Sequence, residues 1–309
     1  MSISFNQRPD VIKLLEISSG LTGEAGDPRF KKIMHQLLGD ICRLIDQYDI
    51  SPEEFWQAVN YLHTLGGRQE AALLAAGLGL EHYLDLREDE RERIQGQTGG
   101  TPRTIEGPLY VANAPLSEGF ARMDDGADAG EIMWLYGQVK GADGRPLAGA
   151  VVDIWHANTL GNYSFFDKSQ SDFNLRRRVK TDADGRYAVR SILPSGYGCP
   201  PDGPTQALLN QLGRHGNRPA HIHFFVSAPG HKHLTTQINL NGDHYLWDDF
   251  AFATREELIA DPVKITEPAL ATLRNLPGAH TEVNFDFSLY SASDSEEQNR
   301  IKRARALQD

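Results

Sequence analysis

The stretch "RPAHIHFFVSAPGHKHLTTQINL" spans residues Arg218 to Leu240. Two runs rich in apolar and β-branched residues flank Pro229-Gly230, a turn dipeptide, so the stretch reads as a β-hairpin. Side chains at i and i+2 of a strand leave the same face, which aims His221 and His223 together. Neutral imidazole is the commonest protein metal ligand, but two are too few for a closed site, so partners must come from elsewhere in the chain. A histidine pair can also be two polar groups on a solvated face. A second pair, His231 and His233, follows directly on the turn, where a hairpin tip is usually exposed. Neither pair has the glutamate a few residues on that a cupin-type site requires. His221 and His223 are the leading candidates.

Strand texture extends to both sides of this hairpin. "IMWLYGQVKGADGRPLAGAVVDIWHA" (132–157) gives two strands around a turn signalled by "DG", and "VKTDADGRYAVRSILP" (179–194) repeats the arrangement. "TEVNFDFSLY" (281–290) closes the series. "DADG" at Asp182–Gly185 lacks the later ligands and glutamate of a calcium loop and is a turn. Short strands with regular turns predict an antiparallel β-sandwich.

The first third of the chain reads differently. Phe30, Ile33, Met34, Leu37, Leu38, Ile41, Leu44, Ile45 and Tyr48 recur at three- and four-residue steps and form one apolar stripe of a helix. "SPEEFWQAV" carries a capping box, with Ser51 as N-cap, Pro52 at the first helical position and Glu54 reaching back. A third helix is expected in "RQEAALLAAGLGLEHYL", whose "GLG" is no nucleotide loop because no strand precedes it. Arg87–Thr104 is charged, then glycine-rich, and reads as a linker. The expected organisation is α+β, mainly β: a helical region with its linker over residues 1–104 and a sandwich over 105–309.

Bulk properties narrow the function classes. At 309 residues the chain can bury a substantial core, and its formal net charge of −11 argues against nucleic-acid or anionic-membrane binding. Cys42 and Cys199 are the only cysteines, too few for a disulfide framework or a thiolate zinc site. The opening "MSISFNQRPDVIKLLEISS" lacks a basic segment followed by an apolar run, and no stretch approaches spanning length, so a soluble cytoplasmic protein is expected.

Two tyrosines sit in unusual settings. Tyr163 lies in "HANTLGNYSFFD", where an apolar strand breaks into a polar loop. Tyr197 lies in "LPSGYGCPPDGP", between Gly196 and Gly198 and ahead of two prolines that stiffen the loop. Both can be surface-loop tyrosines. Chemically, two phenolates with two imidazoles form a coherent set, and two hard anionic ligands favour Fe(III) over Zn(II) or Cu(I).

"DIWHANTLGNYS" (153–164), the run from Arg176 through "RPAHIHFFVSAPGH" to His231, and "IEGPLYV" (105–111) resemble the intradiol ring-cleavage dioxygenases, most nearly the catechol-cleaving members. The likeness covers nearly the whole chain. It implies one non-haem Fe(III) per chain, held by Tyr163, Tyr197, His221 and His223 with a hydroxide, the tyrosine at 197 leaving as substrate binds. It implies that catechol and dioxygen give cis,cis-muconate, with Arg218 stabilising carbanion-like charge on the ring and Gln237 beside it. Otherwise Arg218 reads as a surface arginine opening a strand, like Arg176, Arg177 and Arg178. The resemblance aligns Leu73, Ala76, Ile105, Pro108, Leu109, Phe250 and Ala251 with apolar walls of the substrate pocket. Position 76 is proline in some relatives, which leaves the pocket width open. It further implies a cytoplasmic homodimer that meets through the helical region, with a phospholipid in that interface in several relatives. Two alternatives remain: the same family acting on hydroxyquinol or chlorocatechols, and a non-catalytic sandwich module resembling transthyretin-like or carboxypeptidase regulatory domains.

Overall fold

The computed structural model describes residues 5–292 and 306–307. The chain divides into two compact units, Met1–Gly67 and Arg68–Asp309.

The first unit holds helices α1 (Pro9–Ser18), α2 (Pro28–Tyr48) and α3 (Pro52–Gly67). Each opens on proline, whose fixed φ and missing N–H suit the first helical position. Asp27 caps α2 by accepting the N–H groups of Arg29 and Phe30 at 2.7 and 2.9 Å. The expected capping box is formed: Glu54 accepts the Ser51 N–H at 2.9 Å and Ser51 Oγ accepts that of Glu54 at 3.2 Å. On α2 the apolar stripe faces outward, with Phe30 61%, Leu37 47%, Leu44 50% and Tyr48 66% exposed.

The second unit begins with α4 (Ala71–Gly77) and α5 (Leu80–Ile94). The single helix expected here is broken at Gly79, which takes a left-handed φ of +73°. The linker expected from Arg87 starts later, because α5 continues through the charged run to Ile94. Glu88–Arg91 and Glu90–Arg93, each 2.7 Å, are i,i+3 ion pairs that support a helix whose propensity alone is ordinary.

In chain order the strands are β1 (Val111–Ala112), β2 (Leu116–Glu118), β3 (Phe120–Arg122), β4 (Ile132–Gly141), β5 (Val151–His156), β6 (Arg176–Lys180), β7 (Arg186–Ile192) and β8 (Tyr197–Gly198). After α6 (Pro204–Gln211) come β9 (Asn217–Arg218), β10 (His221–Ser227), β11 (Leu234–Leu240), β12 (Ile259–Ala260) and β13 (Val263–Ile265). Helix α7 (Pro268–Leu273) precedes β14 (His280–Asn284) and β15 (Phe287–Leu289), and β16 (Ala306–Leu307) pairs with β1.

Two sheets form a sandwich. One has the order β12-β11-β10-β5-β6-β2 and the other β13-β14-β4-β7-β3, with β15 also on β4. The β10–β11 hairpin turns at Pro229-Gly230 as expected. The other two "DG" turns do not pair the strands they connect. β4 and β5 lie in different sheets, as do β6 and β7, so both turns cross the end of the sandwich. Gly185 shows why glycine is needed there: its φ is +73° and a Cβ would sit 2.6 Å from the Val139 carbonyl oxygen. Antiparallel pairing runs through β6-β5-β10-β11, while β2–β6, β3–β7, β11–β12 and β14–β4 are parallel.

Alternation along β10 sets up the site. Ile222, Phe224 and Val226 enter the core between the sheets with Leu135, Ile154, Val189 and Ile238. His221, His223 and Phe225 therefore face the other side of their sheet. That side is also covered, since His221 to Val226 are all buried.

Candidate metal centre and substrate pocket

Four side chains from three parts of the second unit converge over β10. His221 and His223 Nε2 are 3.1 Å apart. Tyr197 Oη lies 3.4 Å from His221 Nε2, and Tyr163 Oη lies 3.5 Å from Tyr197 Oη. Donor atoms at 3.1–3.5 Å have the spacing of neighbouring ligands around one cation with bonds of about 2 Å.

Local structure explains each placement. Tyr163 follows β5 on a loop where Gly161 has φ +80° and a Cβ there would lie 2.6 Å from Tyr197 Cβ. Tyr197 belongs to the two-stranded ribbon β8–β9, where it pairs directly with Arg218. The glycines flanking Tyr197 serve space rather than backbone freedom. Neither has a positive φ, but a Cβ on Gly196 would stand 2.5 Å from the Arg218 carbonyl oxygen and one on Gly198 2.8 Å from Asn217 Oδ1. On β5, Trp155 pairs with His223 and stacks flat on its ring at 5.0 Å and 4°.

Electrostatics suit these groups to metal binding. His221 Nδ1 lies 2.7 Å from the Pro219 carbonyl, which can only accept, so the proton is fixed on Nδ1 and Nε2 keeps its lone pair. Burial, then the Arg218 guanidinium, pushes His221 down to about 3. Burial, then His221 and Arg218, holds His223 well below the usual imidazole range. Both rings are therefore neutral near pH 7, the form that ligates. Burial, then Tyr197, holds the Tyr163 phenol well above its ordinary value, so a phenolate here needs a cation beside it. Among the described residues no group of three or more His, Cys, Asp and Glu could hold a metal ion. A donor set that includes two phenols fits a hard, highly charged cation such as Fe(III).

Arg218 is no surface residue. Its guanidinium is buried, with Nη1 donating to His221 Nε2 at 2.9 Å and Nη2 to Gln237 Oε1 at 2.8 Å. Arg176, read from sequence as a surface arginine, is buried as well. Its Nε and Nη2 each donate at 3.0 Å, to Ser164 Oγ and the Ser164 carbonyl, and its guanidinium lies 5.6 Å from the Tyr163 ring centre. Arg177 and Arg178 are partly buried.

The expected apolar walls fall into two adjoining clusters. Ala76, Ile105, Phe250 and Ala251 pack with Cys199, Leu209 and Ala253, and Leu73 rests against them. Leu109 packs instead with Tyr110, Trp155, Tyr163 and Tyr197, while Pro108 is exposed. The segment carrying Ile105 and Leu109 passes so near the histidines that a Cβ on Gly107 would lie 3.6 Å from His223 Cε1. Glu81 on α5 anchors it by accepting the Glu106 N–H at 3.1 Å. Arg214 ties α4 to the turn at Phe250, donating to the carbonyls of Gly77 and Phe250 at 2.7 and 3.0 Å. Sequence reasoning passed over Arg214, Trp155 and Asp249, whose carboxylate grips Arg218. None of the three carried a local signal, since each is placed by contacts between segments far apart in the chain. The second histidine pair is engaged elsewhere: His231 Nδ1 meets the Pro229 carbonyl at 2.9 Å, and His233 packs on Phe225 at 5.1 Å.

Comparison with known proteins agrees with this assembly. A family profile described as "Dioxygenase" matches residues 105–291, and one described as "Catechol dioxygenase N terminus" matches residues 27–96. The catechol 1,2-dioxygenase of Acinetobacter baylyi is 52% identical over 308 residues, 99% of this chain and 99% of the relative. The chain belongs to the intradiol ring-cleavage dioxygenase family. The crystal structure of catechol 1,2-dioxygenase from Pseudomonas arvilla C-1 matches with a TM-score of 0.95 at 56% identity, covering 99% of both chains. Family members named for other substrates stand further off: the hydroxyquinol 1,2-dioxygenase of a Rhizobium sp. is 35% identical, covering 86% of this chain and 90% of the relative. Membership in this family sets aside the non-catalytic sandwich module.

Proposed function

We propose that this dioxygenase cleaves catechol with dioxygen between the two hydroxyl-bearing carbons, giving cis,cis-muconate. The observation that carries the reading is the convergence of two phenols, two neutral imidazoles and one guanidinium in the unit that also holds the apolar cluster of Leu73, Ala76, Ile105, Phe250 and Ala251. Tyr163, Tyr197, His221 and His223 would hold one Fe(III) per chain, which supplies the Lewis acidity that draws electron density from a bound catecholate.

The chain's own residues divide the remaining work. Tyr163 is buried and Tyr197 only partly so, which suits Tyr163 to stay and Tyr197 to yield its place to substrate. Tyr197 Oη, once free, would take a catechol hydroxyl proton and so serve as the base. Arg218 meets negative charge as it builds on the ring, a task for a fixed guanidinium. Gln237 accepts from Arg218 and holds its orientation. Leu73, Ala76, Ile105, Leu109, Phe250 and Ala251, with Pro108 at the edge, flank a planar ring and exclude water. Purified protein supplied with labelled dioxygen is expected to place one labelled atom in each muconate carboxylate. A yellow semialdehyde, or label in one carboxylate only, would contradict this reading, as would stoichiometric zinc with no visible absorption band.

The same reading gives residues 1–104 to dimerisation and linkage and 105–309 to catalysis, with α4 lending Leu73 and Ala76 to the pocket. An outward apolar stripe on α2 needs a cover, and a self-complementary face closes in a two-fold dimer without leaving an edge to polymerise. Light scattering at micromolar concentration is expected to give the mass of two chains, and a monomeric mass refutes the dimer. Replacing Leu37 and Ile41 with Asp is expected to weaken the dimer and leave iron content unchanged. Organic extraction with mass spectrometry tests for a phospholipid in that interface, and a clean blank removes the lipid alone. The expected site of action is the cytoplasm. Both cysteines are free, and burial followed by Glu70 pushes the Cys199 thiol up to about 12. Among the described residues no helix is long and apolar enough to cross a membrane.

A further inference from the structure

Arg218 is held from behind by a carboxylate that takes no part in the donor set. Asp249 Oδ1 accepts from Arg218 Nε at 3.1 Å and Oδ2 accepts from Nη2 at 3.1 Å, with the two side chains 1% and 4% exposed. This fork-to-fork pairing occupies the Nε–Nη2 edge of the guanidinium and leaves Nη1 turned toward the donor set, where it donates to His221 Nε2 as long as no cation takes that lone pair. Asp249 also organises its own turn: Oδ1 accepts the Ala251 N–H at 3.0 Å and its carbonyl accepts that of Phe252 at 3.0 Å. Phe250 and Ala251, two of the pocket walls, therefore hang on the residue that grips Arg218. The same turn ends at Thr254, whose Oγ1 accepts from Asn239 at 2.7 Å, and Asn239 Oδ1 accepts from Gln237 Nε2 at 2.6 Å. One turn thus fixes the arginine directly and its glutamine partner through Asn239.

We propose that Asp249 is the positioning residue of the reaction, holding the Arg218 guanidinium in one orientation beside the substrate and setting Phe250 and Ala251 against the ring. The proposal rests on the catechol-cleaving reading of the site. A buried guanidinium without a counter-charge is strongly unfavourable, and a bidentate carboxylate both neutralises it and removes its rotational freedom. Burial alone would lower Arg218, but Asp249 first and Tyr197 next reverse this and leave it above its ordinary value. Burial would raise Asp249, and the adjacent Arg218 holds it below the usual carboxylate range.

A cycle of Asp249→Asn, Arg218→Met and the double variant tests the coupling. In the metal-free protein, Asp249→Asn is expected to lower the thermal midpoint by roughly 5 °C or more because it strands a buried charge, and the double variant to recover at least half of that. In the iron-loaded protein, Asp249→Asn is expected to lower kcat about tenfold or more while the anaerobic dissociation constant for catechol moves less than about threefold. Added to Arg218→Met, it is expected to cost no more than about another twofold. Thermal losses that simply add, turnover losses that multiply, or an effect confined to catechol affinity would each overturn the proposal. Should Asp249→Asn not fold, Asp249→Glu keeps the charge and shifts the guanidinium by one methylene, and it must still lower kcat more than affinity. Wild-type protein that does not cleave catechol would sink the functional reading, whereas the thermal cycle judges the Asp249–Arg218 coupling regardless of the reaction.

Discussion

Tyr163→Phe and His223→Ala are each expected to lose bound iron, visible colour and turnover together. The substitutions remove one donor atom apiece from a set whose members stand 3.1–3.5 Å apart, and no other His, Cys, Asp or Glu cluster among the described residues can substitute. The loss in turnover is expected to exceed a hundredfold, since partners one step removed from a metal commonly cost about 10–100-fold. The fold is expected to survive, because His223 leaves β10 on the side opposite Ile222, Phe224 and Val226, which carry the core, and Tyr163→Phe keeps the buried ring. Far-ultraviolet circular dichroism and a cooperative thermal transition check that point, and elemental analysis gives iron per chain. A variant that keeps wild-type colour and activity shows that its residue is not a ligand. Iron loading is also expected to release protons, because the Tyr163 phenol is held protonated by burial until a cation arrives.

Much of this centre was legible because strand geometry is a local rule. The period of two along "HIHFFV" aims both histidines one way and fixes what faces the core, with no need to know which strands are neighbours. The capping box at Ser51 and the Pro229-Gly230 hairpin are equally local, and both formed as read. What sequence did not reveal depends on contacts distant in the chain. The "DG" turns are real, but whether a turn joins partners in one sheet or crosses to the other is set by competition among strands far apart in sequence. Arg176 follows the same logic. In "LRRRVK" it is one of three arginines on a short strand, and only Ser164, brought back by the loop after β5, gives its guanidinium acceptors inside the protein. Asp249 lies in "WDDF" with nothing local to separate it from Asp248, which is paired at the surface with His215. Pattern also understated α5, whose charged half is stabilised by ion pairs along the helix rather than by an apolar face.

The metal-free protein is expected to lose stability steeply as pH falls from 6.5 to 5. Three buried histidines drive this. His156 is pushed down to about 4, chiefly by burial and against the pull of the Ala157 carbonyl, and it also meets Ser191 Oγ at 2.7 Å. His221 is pushed to about 3, and His223 lies well below its ordinary value. In the unfolded chain each takes up a proton near pH 6.5, whereas in the folded chain His156 does so only at about 4 and His221 at about 3, and His223 lies well below its ordinary value. Below pH 6.5 the unfolded state therefore binds more protons, so stability is full above that pH and falls as acid is added. His156 and His221 each contribute a loss of about 1.4 kcal/mol per pH unit, or about 2 kcal/mol at pH 5 and about 4 kcal/mol together, and His223 adds to the loss in the same direction. Asp85 acts in the opposite sense. Burial first, and Glu81 among its neighbours, raises its carboxyl to about 7, so the folded chain holds that proton where the unfolded chain has released it. Because only the folded chain holds that proton across the interval, Asp85 returns about 2 kcal/mol, leaving a net loss of about 2 kcal/mol from His156 and His221, to which His223 adds. Against a typical total of about 5–15 kcal/mol, this moves a urea midpoint visibly. Urea titrations of chelator-treated protein at pH 6.5 and 5.0 measure the difference, and a midpoint that stays level or rises at pH 5.0 would refute the mechanism. His156→Asn separates the contributions, because His156 bonds to Ser191 and Ala157 rather than to the donor set. It is expected to shrink the acid loss by about 2 kcal/mol while iron binding persists, since the proton-sensitive group it removes is not one of the groups a cation must keep deprotonated.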